Sequence, residues 1–518
     1  MKKIIILICF FFLFLFIFSF AQNNQVGEVG NEKIDPKINI SDFEGYKQYI
    51  SAIHVQSSYS SGEDSIPTIA KRAYDKGISI VMMTDTLIKE VFYGFPPFRN
   101  VLGVSVSESS ILKNGPAEYL KIIEKVNDDY YDKGLIMIPG CEASPFHYWE
   151  GSVFKGDLTI KDWRRHLHVV GLYKPWQYKQ LPVVHGGWTK RNIRKYMFVF
   201  LMFSLAIILG IVLIMKKGYI RYIGIIIAIF GLMGTINNFP LRSSKYNPYY
   251  GSYQHSPYQH FINKANTFGG MVFYAHPESN KEEEEISGRG FLSFLKLKMK
   301  TAKYPNLLVK TRDYAGFEGA YSRSAKAIYA GNQWDKVLGE YLNRVRDLAP
   351  WTISGGDYHG LKPEGGWGNI ESGQTILLLK NFELTEIFAA MWEGRMYSVR
   401  NGKQASENGY LIMPKFYLEN SEETQKAISG QELVTSKLVN LNINLKTTLD
   451  KAVELKLMII KNGELIKEEK IKTPYELVIT DDVSAEFKGY YRIIAEGSSY
   501  QLVSNPIFYR VNKESKRY

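Results

Sequence analysis

The chain has 518 residues, 45% hydrophobic and 22% charged, which fits a folded protein of two or three domains and excludes a disordered or collagen-like polymer. The formal charge of +12 is spread along the sequence with no basic stripe interleaved with aromatics, so nucleic acid is not expected as a partner. Of the two cysteines, Cys9 lies in an N-terminal apolar run, so the processed chain keeps only Cys141 and no internal disulfide.

Met1-Lys2-Lys3, an apolar core from Ile4 to Phe18 and Ser19-Phe20-Ala21 read as a signal peptide or N-terminal anchor over 1–21. Either form exports the rest of the chain. Residues 22–45 are polar and read as a linker. From Tyr46, strand and helix patterns alternate. Ser51 to His54 is a short strand, and Ser65 caps a helix with Pro67 in its first turn. Its apolar face is Ile66, Ile69, Ala70 and Ala73, closed by Gly77. Ile78 to Met83 is a buried strand, Pro116 to Lys133 a helix stopped at Gly134, and Leu135 to Ile138 the next strand.

Met197 to Met215 carries no charge over nineteen residues and is long enough to cross a hydrocarbon layer. Lys216-Lys217-Gly218 comes next, then a second apolar run from Tyr222 to Ile236. Together, 197–236 is expected to form a transmembrane helical hairpin. Lys216, Lys217 and Arg221 at its tip favour a cytoplasmic turn, whereas Lys190, Arg191, Arg194 and Lys195 at its base oppose one. Lys2 and Lys3 settle the expectation: everything after Phe20, the hairpin tip excepted, lies on the extracytoplasmic side. Two crossings return the chain, so residues on both flanks share one compartment and can build one site.

Strands are expected again at His168 to Leu172, Met271 to Ala275, Thr352 to Ser354 and Thr375 to Leu379. Helices are expected near Pro257 to Thr267, Asp335 to Leu348 and Leu384 to Trp392. The Glu282 to Glu285 run reads as a solvated helix start. This alternation predicts an α/β fold with a parallel sheet or barrel over 46–400. After residue 405 only strands remain, with Lys461-Asn462-Gly463-Glu464 as a hairpin signal, so 405–518 is expected to be an all-β sandwich.

Chemistry concentrates at the strand ends. His54, Asp85, Glu142, His168, His276, Asp357 and His359 each stand where a hydrophobic strand is expected to close. Imidazoles and carboxylates converging at one end of a sheet are how a barrel builds a metal site. Glu142 offers two oxygens with which to bridge two cations, and His166 is a substitute for His168 on the same face. Pro277 stops the strand at His276, and Gly355-Gly356 places Asp357 and His359 on one tight loop. His147, His185, His255 and His260 are read as packed or hydrogen-bonded histidines. Cys141 is read as a small strand residue rather than a nucleophile.

The segments IHVQSSYS, AYDKGISIVMMTDT, GLIMIPGCEAS, HLHVVGL, GGMVFYAHPE and ISGGDYHG, with FEG at 317–319 and MWEGRMYS at 391–398, resemble the successive motifs of the PHP (polymerase and histidinol phosphatase) superfamily. The C-terminal region, ending in Ser504-Asn505-Pro506-Ile507, is similar to the sandwich of its exported members. The resemblance implies a distorted (β/α)7 barrel, interrupted here by the hairpin, and metal-dependent hydrolysis of phosphate or other esters by a metal-activated water. It implies His54, Glu142 and Asp357 around one ion, Glu142, His168 and His276 around a second, and His359 at a third. Glu142 and Asp85 would be the catalytic carboxylates, Asp85 behind the ligands or handling a proton.

Two departures stand out. Gln56 and Thr86 occupy positions where the family carries histidine, and amide or hydroxyl oxygens are poorer ligands than imidazole for zinc. The expected complement is one or two divalent ions (Zn, Mn or Fe) rather than three, serving a small-molecule ester substrate. The rival expectation is a catalytically degenerate barrel that acts as a binding or assembly module at the outer membrane face.

Overall fold

A computed structural model describes residues 42–512 except 44, 97, 100–102, 187–191, 280, 288–295, 322–324, 361–368 and 403–407. The signal or anchor at 1–21 and nearly all of the 22–45 linker lie outside the described residues.

Strands and one-faced helices alternate in the first half because the apolar residues recur at periods that bury one side of each element. β1 (Tyr46–Val55), α1 (Ile66–Asp75), β2 (Ile80–Met83), α2 (Pro116–Tyr130) and β3 (Ile136–Ile138) set three strands side by side, β1–β2–β3, all parallel. α1 starts where the Ser65 hydroxyl accepts the Thr68 N–H at 3.3 Å, and its buried face is Ile66, Ile69, Ala70 and Ala73. The chain beyond α2 turns into β3 at Gly134, which holds φ 82.

A second sheet comprises β4 (Gly140–Ala143), β5 (Leu167–Val170), β6 (Met271–Tyr274), β7 (Gly316–Glu318) and β8 (Trp351–Ile353), in the order β8-β7-β6-β5-β4. β6, β7 and β8 are parallel, but β5 runs antiparallel to both of its neighbours. His168 sits near the start of its strand, as the expected strand from His168 to Leu172 has it, and does not close one as the other candidates do; it lies directly opposite Glu142. The reversed direction brings it to the end of the sheet where the other strands finish.

Backbone hydrogen bonds join the two sheets at both margins. Leu87 N donates to Glu142 O at 2.7 Å and Glu142 N to Asp85 O at 3.1 Å; at the other margin Tyr358 N donates to His54 O at 3.0 Å. The first sheet also extends on its other side: β9 (Gly373–Leu379) pairs antiparallel with β1, and β10 (Met396–Asn401) pairs with β9.

Between β5 and β6 stand two helices long and apolar enough to cross a membrane, α3 (Ile193–Ile214) and α4 (Tyr219–Asn237). Only 6% and 17% of their apolar windows are buried, unlike helices of a protein core. Small residues bring them together: a side chain at Gly224 would meet Ile214 N at 2.6 Å, and one at Gly210 would meet Ala228 N at 2.6 Å. Further on come α5 (Ser256–Thr267), α6 (Gln333–Leu342) and α7 (Leu384–Glu393).

The acidic run at 282–285 is not a helix start. Lys281–Ser287 is a strand, paired antiparallel with Lys296–Thr301 in a register that sets Glu285 opposite Lys298. A helix-favouring composition yields here to backbone pairing with a second strand.

The C-terminal region is all β: β11 (Leu411–Asn420), β12 (Leu438–Thr447), β13 (Glu454–Lys461), β14 (Glu464–Lys472), β15 (Tyr475–Asp482), β16 (Lys488–Glu496), β17 (Tyr500–Ser504) and β18 (Ile507–Val511). Asn462 and Gly463 form the two-residue turn between β13 and β14, both at positive φ. β11, β12 and β15 lie in one sheet. The others do not form a separate second sheet: β18, β16 and β17 continue through β10, β9 and β1 to β3. The buried Arg492 of β16 also forks onto Asp335 of α6, at 2.9 and 2.7 Å.

Candidate metal centre

β1 delivers the first candidate ligand through a defect. His54 holds φ 66, and around it Ile53 pairs with Met82 while Val55 pairs with Met83, so one extra residue bulges out of the ladder. His276 (φ 29) and Asp357 (φ 46) also sit at positive φ, a conformation that costs energy for residues other than glycine. Three strained residues facing one spot mark a site held in place by its surroundings.

The spot is Glu142 Oε1. Four imidazole nitrogens approach it: His166 Nδ1 at 2.8 Å, His54 Nε2 at 3.3 Å, His276 Nε2 at 3.5 Å and His168 Nε2 at 3.7 Å. Asp357 Oδ1 lies 3.1 Å from His54 Nε2. Among the described residues, Glu142 Oε1, His54 Nε2, His166 Nδ1 and both nitrogens of His168 have no aligned hydrogen-bond partner. Donors bonded to one tetrahedral ion at about 2.0–2.1 Å stand roughly 3.4 Å apart, so these separations suit atoms sharing a cation. Buried polar atoms left without a partner are rare, and a cluster of them fits an ion. Two sets of donors lie close enough to hold one: His54, Glu142 and His168, and Glu142, His166 and His276.

The electrostatics agree. Burial alone would raise the Glu142 carboxyl, but the imidazoles of His166 and His54 reverse this and hold it well below the usual range. Burial depresses His54, yet the Glu318, Asp357 and Glu142 carboxylates outweigh it and push His54 well above its ordinary value. His168 is lowered, first by burial and then by His54. The pocket therefore presents an ionised Glu142 and a neutral His168, while the surrounding carboxylates keep a proton on His54 that a bound cation would displace.

Glu318, at the end of β7, supports this arrangement. It is 1% exposed, accepts from His54 Nδ1 at 2.7 Å and from the His276 backbone N–H at 2.7 Å, and so turns His54 Nε2 toward Glu142. Gly355 makes room: a side chain there would meet Glu318 Oε1 at 2.1 Å. Sequence reasoning saw Glu318 only as part of a motif.

The other sequence-derived candidates fall in different places. Asp85 is fully buried and accepts from Ser57 N at 2.8 Å, from the Ser57 hydroxyl at 3.0 and 2.9 Å and from Ser60 Oγ at 2.6 Å. Its carboxyl, raised by burial against those bonds, stands behind the ligand cluster. His359 turns to Asp357, Nε2 to Oδ1 at 3.0 Å, rather than to Glu142. His166 joins the cluster beside His168 instead of substituting for it. The second oxygen of Glu142, Oε2, accepts from Gln56 Nε2 at 2.7 Å. His147 is buried against Trp163, ring centroids 4.8 Å apart, and Cys141 is buried within β4 with its thiol pushed up by burial.

No family model and no curated protein matches the sequence. Among solved structures, a two-domain protein from Bacteroides vulgatus containing a predicted PHP-like metal-dependent phosphoesterase is similar at 12% identity and TM-score 0.33, over 90% of this chain and 95% of that one. A Bifidobacterium adolescentis protein assigned as a metal-dependent phosphoesterase is similar at 16% identity and TM-score 0.27, over 62% of this chain and 91% of that one. An amidohydrolase from Chromobacterium violaceum, solved with bound sulfate and no metal, is similar at 12% identity and TM-score 0.25, over 60% and 87%. Similarity at these values leaves the chemistry to be read from the site itself.

Proposed function

We propose that the chain is an exported, membrane-anchored hydrolase of the PHP type, acting on phosphate esters of a small molecule with divalent metal ions. The observation that carries this is the convergence of four imidazole nitrogens on one buried carboxylate oxygen, without aligned hydrogen bonds among them. His54, Glu142 and His168 would hold an ion at the floor, and His276, His166 and Asp357 stand around them. A bound divalent ion supplies Lewis acidity and lowers the pKa of a coordinated water.

The protein's own groups do the rest. Glu318 fixes the tautomer and direction of His54, and the 0% exposure of His54 and His168 keeps bulk water from the floor. The rim is open: the side chains of His276, His166, His359 and Asp357 are 17%, 22%, 33% and 58% exposed, so an ester enters from that side. The margins that join the two sheets support the proposed distorted barrel over 46–400. The exposed surfaces of α3 and α4 support the anchoring hairpin at 197–236.

The rival function, a binding or assembly module, draws support from one observation. Neutral Gln56 and Thr86 hydrogen-bond to each other at 3.1 Å beside Glu142. Metal analysis of the purified protein, followed by assays on phosphate mono- and diesters, decides between them. Bound metal and an activity lost in Glu142→Ala support the hydrolase; a folded, metal-free and ester-inert protein refutes it.

A further inference from the structure

At the foot of the α3–α4 pair lies a cleft of about 620 Å³, and none of the metal-centre donors lines it. Its walls include Tyr196 from the first turn of α3, Ile236 from the last turn of α4, and Glu90, Arg99, Arg242 and Tyr249 from the segments around them. Ile236 is 47% exposed, so one wall runs into the apolar surface of the two helices. Tyrosines where an apolar helix meets polar surroundings mark the headgroup level of a membrane.

The cleft is basic. Arg242 lies 4.5 Å over the Tyr196 ring and donates to the Asn237 carbonyl, while its Nε is buried without an aligned partner. Burial lowers the Arg242 guanidinium from its ordinary value, a cost that an anion beside it would offset. Arg99 lies 4.0 Å over the Tyr249 ring and donates to Gly94 O at 3.0 Å. Lys195 Nζ donates to the Lys245 carbonyl, and both lysines are within electrostatic reach of Arg242. Among the described residues, none of these four cations is paired with a carboxylate. Glu90 is the one carboxylate described in the lining, and it accepts from the Gly186 N–H at 3.1 Å.

We propose that this cleft binds a phosphate group carried by the headgroup of an anionic membrane phospholipid, whose acyl chains lie along Ile236 and the hairpin. The inference rests on the membrane anchoring proposed above. Guanidinium groups match phosphate oxygens in geometry and charge, and Arg99 and Arg242 are the two described in the lining. A soluble phosphate compound shares that chemistry but has nothing to lay against Ile236. The site also gives Lys195 a local use at the hairpin base, where the positive-inside tendency opposes the expected topology.

The test uses the full-length protein in a neutral detergent, mixed with equal amounts of phosphatidylglycerol and phosphatidylcholine of identical acyl chains. Native mass spectrometry counts the lipid retained. The wild type should keep one phosphatidylglycerol in clear preference, and Arg242→Gln should lower that preference about fivefold, the effect of one cation at an anionic surface. Arg99→Gln reads the same site should Arg242→Gln fail to fold. Lys216→Gln/Lys217→Gln, at the hairpin tip, should leave the preference unchanged, and excess glycerol phosphate should not displace the lipid. No preference in the wild type, an equal fall in the tip variant, or no fall in a folded cleft variant would each overturn the proposal. Displacement by glycerol phosphate would overturn the lipid as its source. A protein that stays dispersed without detergent would instead overturn the membrane anchoring on which it rests.

Discussion

Replacing Glu318 by glutamine changes one atom and should disable the centre without emptying the space. Glu318 accepts two hydrogen bonds at 2.7 Å, from His54 Nδ1 and from the His276 backbone N–H. Glutamine can accept only one of them. With its oxygen toward His54, its N–H2 meets the His276 N–H, leaving buried donors unsatisfied at a cost of about 1–3 kcal/mol of folding stability. With its oxygen toward His276, its N–H2 faces His54 Nδ1 and drives the ring proton to Nε2, the atom that faces Glu142. The first orientation loosens the His276 backbone and the second misdirects His54, so metal affinity should fall about 10–100-fold, or about 1.4–2.7 kcal/mol. Chelator competition gives the affinity, and urea unfolding of metal-free protein gives the stability term separately. A folded Glu318→Gln protein that binds metal within twofold of the wild type would refute the orienting role.

Two further outcomes are expected from buried charges. Asp335→Ala leaves the fully buried Arg492 guanidinium without its carboxylate and should cost about 3–5 kcal/mol in chemical denaturation; a loss below about 1 kcal/mol would show that the pair does not hold α6 to β16. His147 is lowered by burial to about 3, from an unfolded value near 6.5. The unfolded chain therefore binds more protons in that window, so stability should fall by up to about 1.4 kcal/mol per pH unit as pH drops from about 6.5 toward 3. His147→Gln should remove that component, and an identical pH slope in both proteins would contradict it.

What was legible in the sequence was local. The α3–α4 pair could be read because runs without charge need no tertiary partner to be recognised, and α1 because Ser65 and Pro67 mark its start. His54, Glu142, His168 and His276 were legible because imidazoles and a carboxylate beside hydrophobic strands are uncommon. What depended on partners distant in sequence was not. The reversed direction of β5 is set by hydrogen bonds to β4 and β6, and nothing in HLHVV encodes it. The strand at Lys281–Ser287 needs its partner at Lys296–Thr301 to overcome the helix preference of glutamate. Glu318 left only a weak signal, a further carboxylate closing a short strand, because its task is to bond the far nitrogen of a histidine 264 residues away. Gln56 looked like a missing ligand; only its hydrogen bonds show what it holds.

The sheet that passes from β18 through β10 to β3 also governs where this protein can be divided. All six residues of β10 are buried, and β17 supplies the partner along one side of the strand. A truncation near residue 405, the natural place to cut by composition, would strip that side and leave an apolar strand edge open to pairing with other chains. The N-terminal region prepared alone is thus a candidate for aggregation, and the C-terminal strands serve as its built-in edge protector.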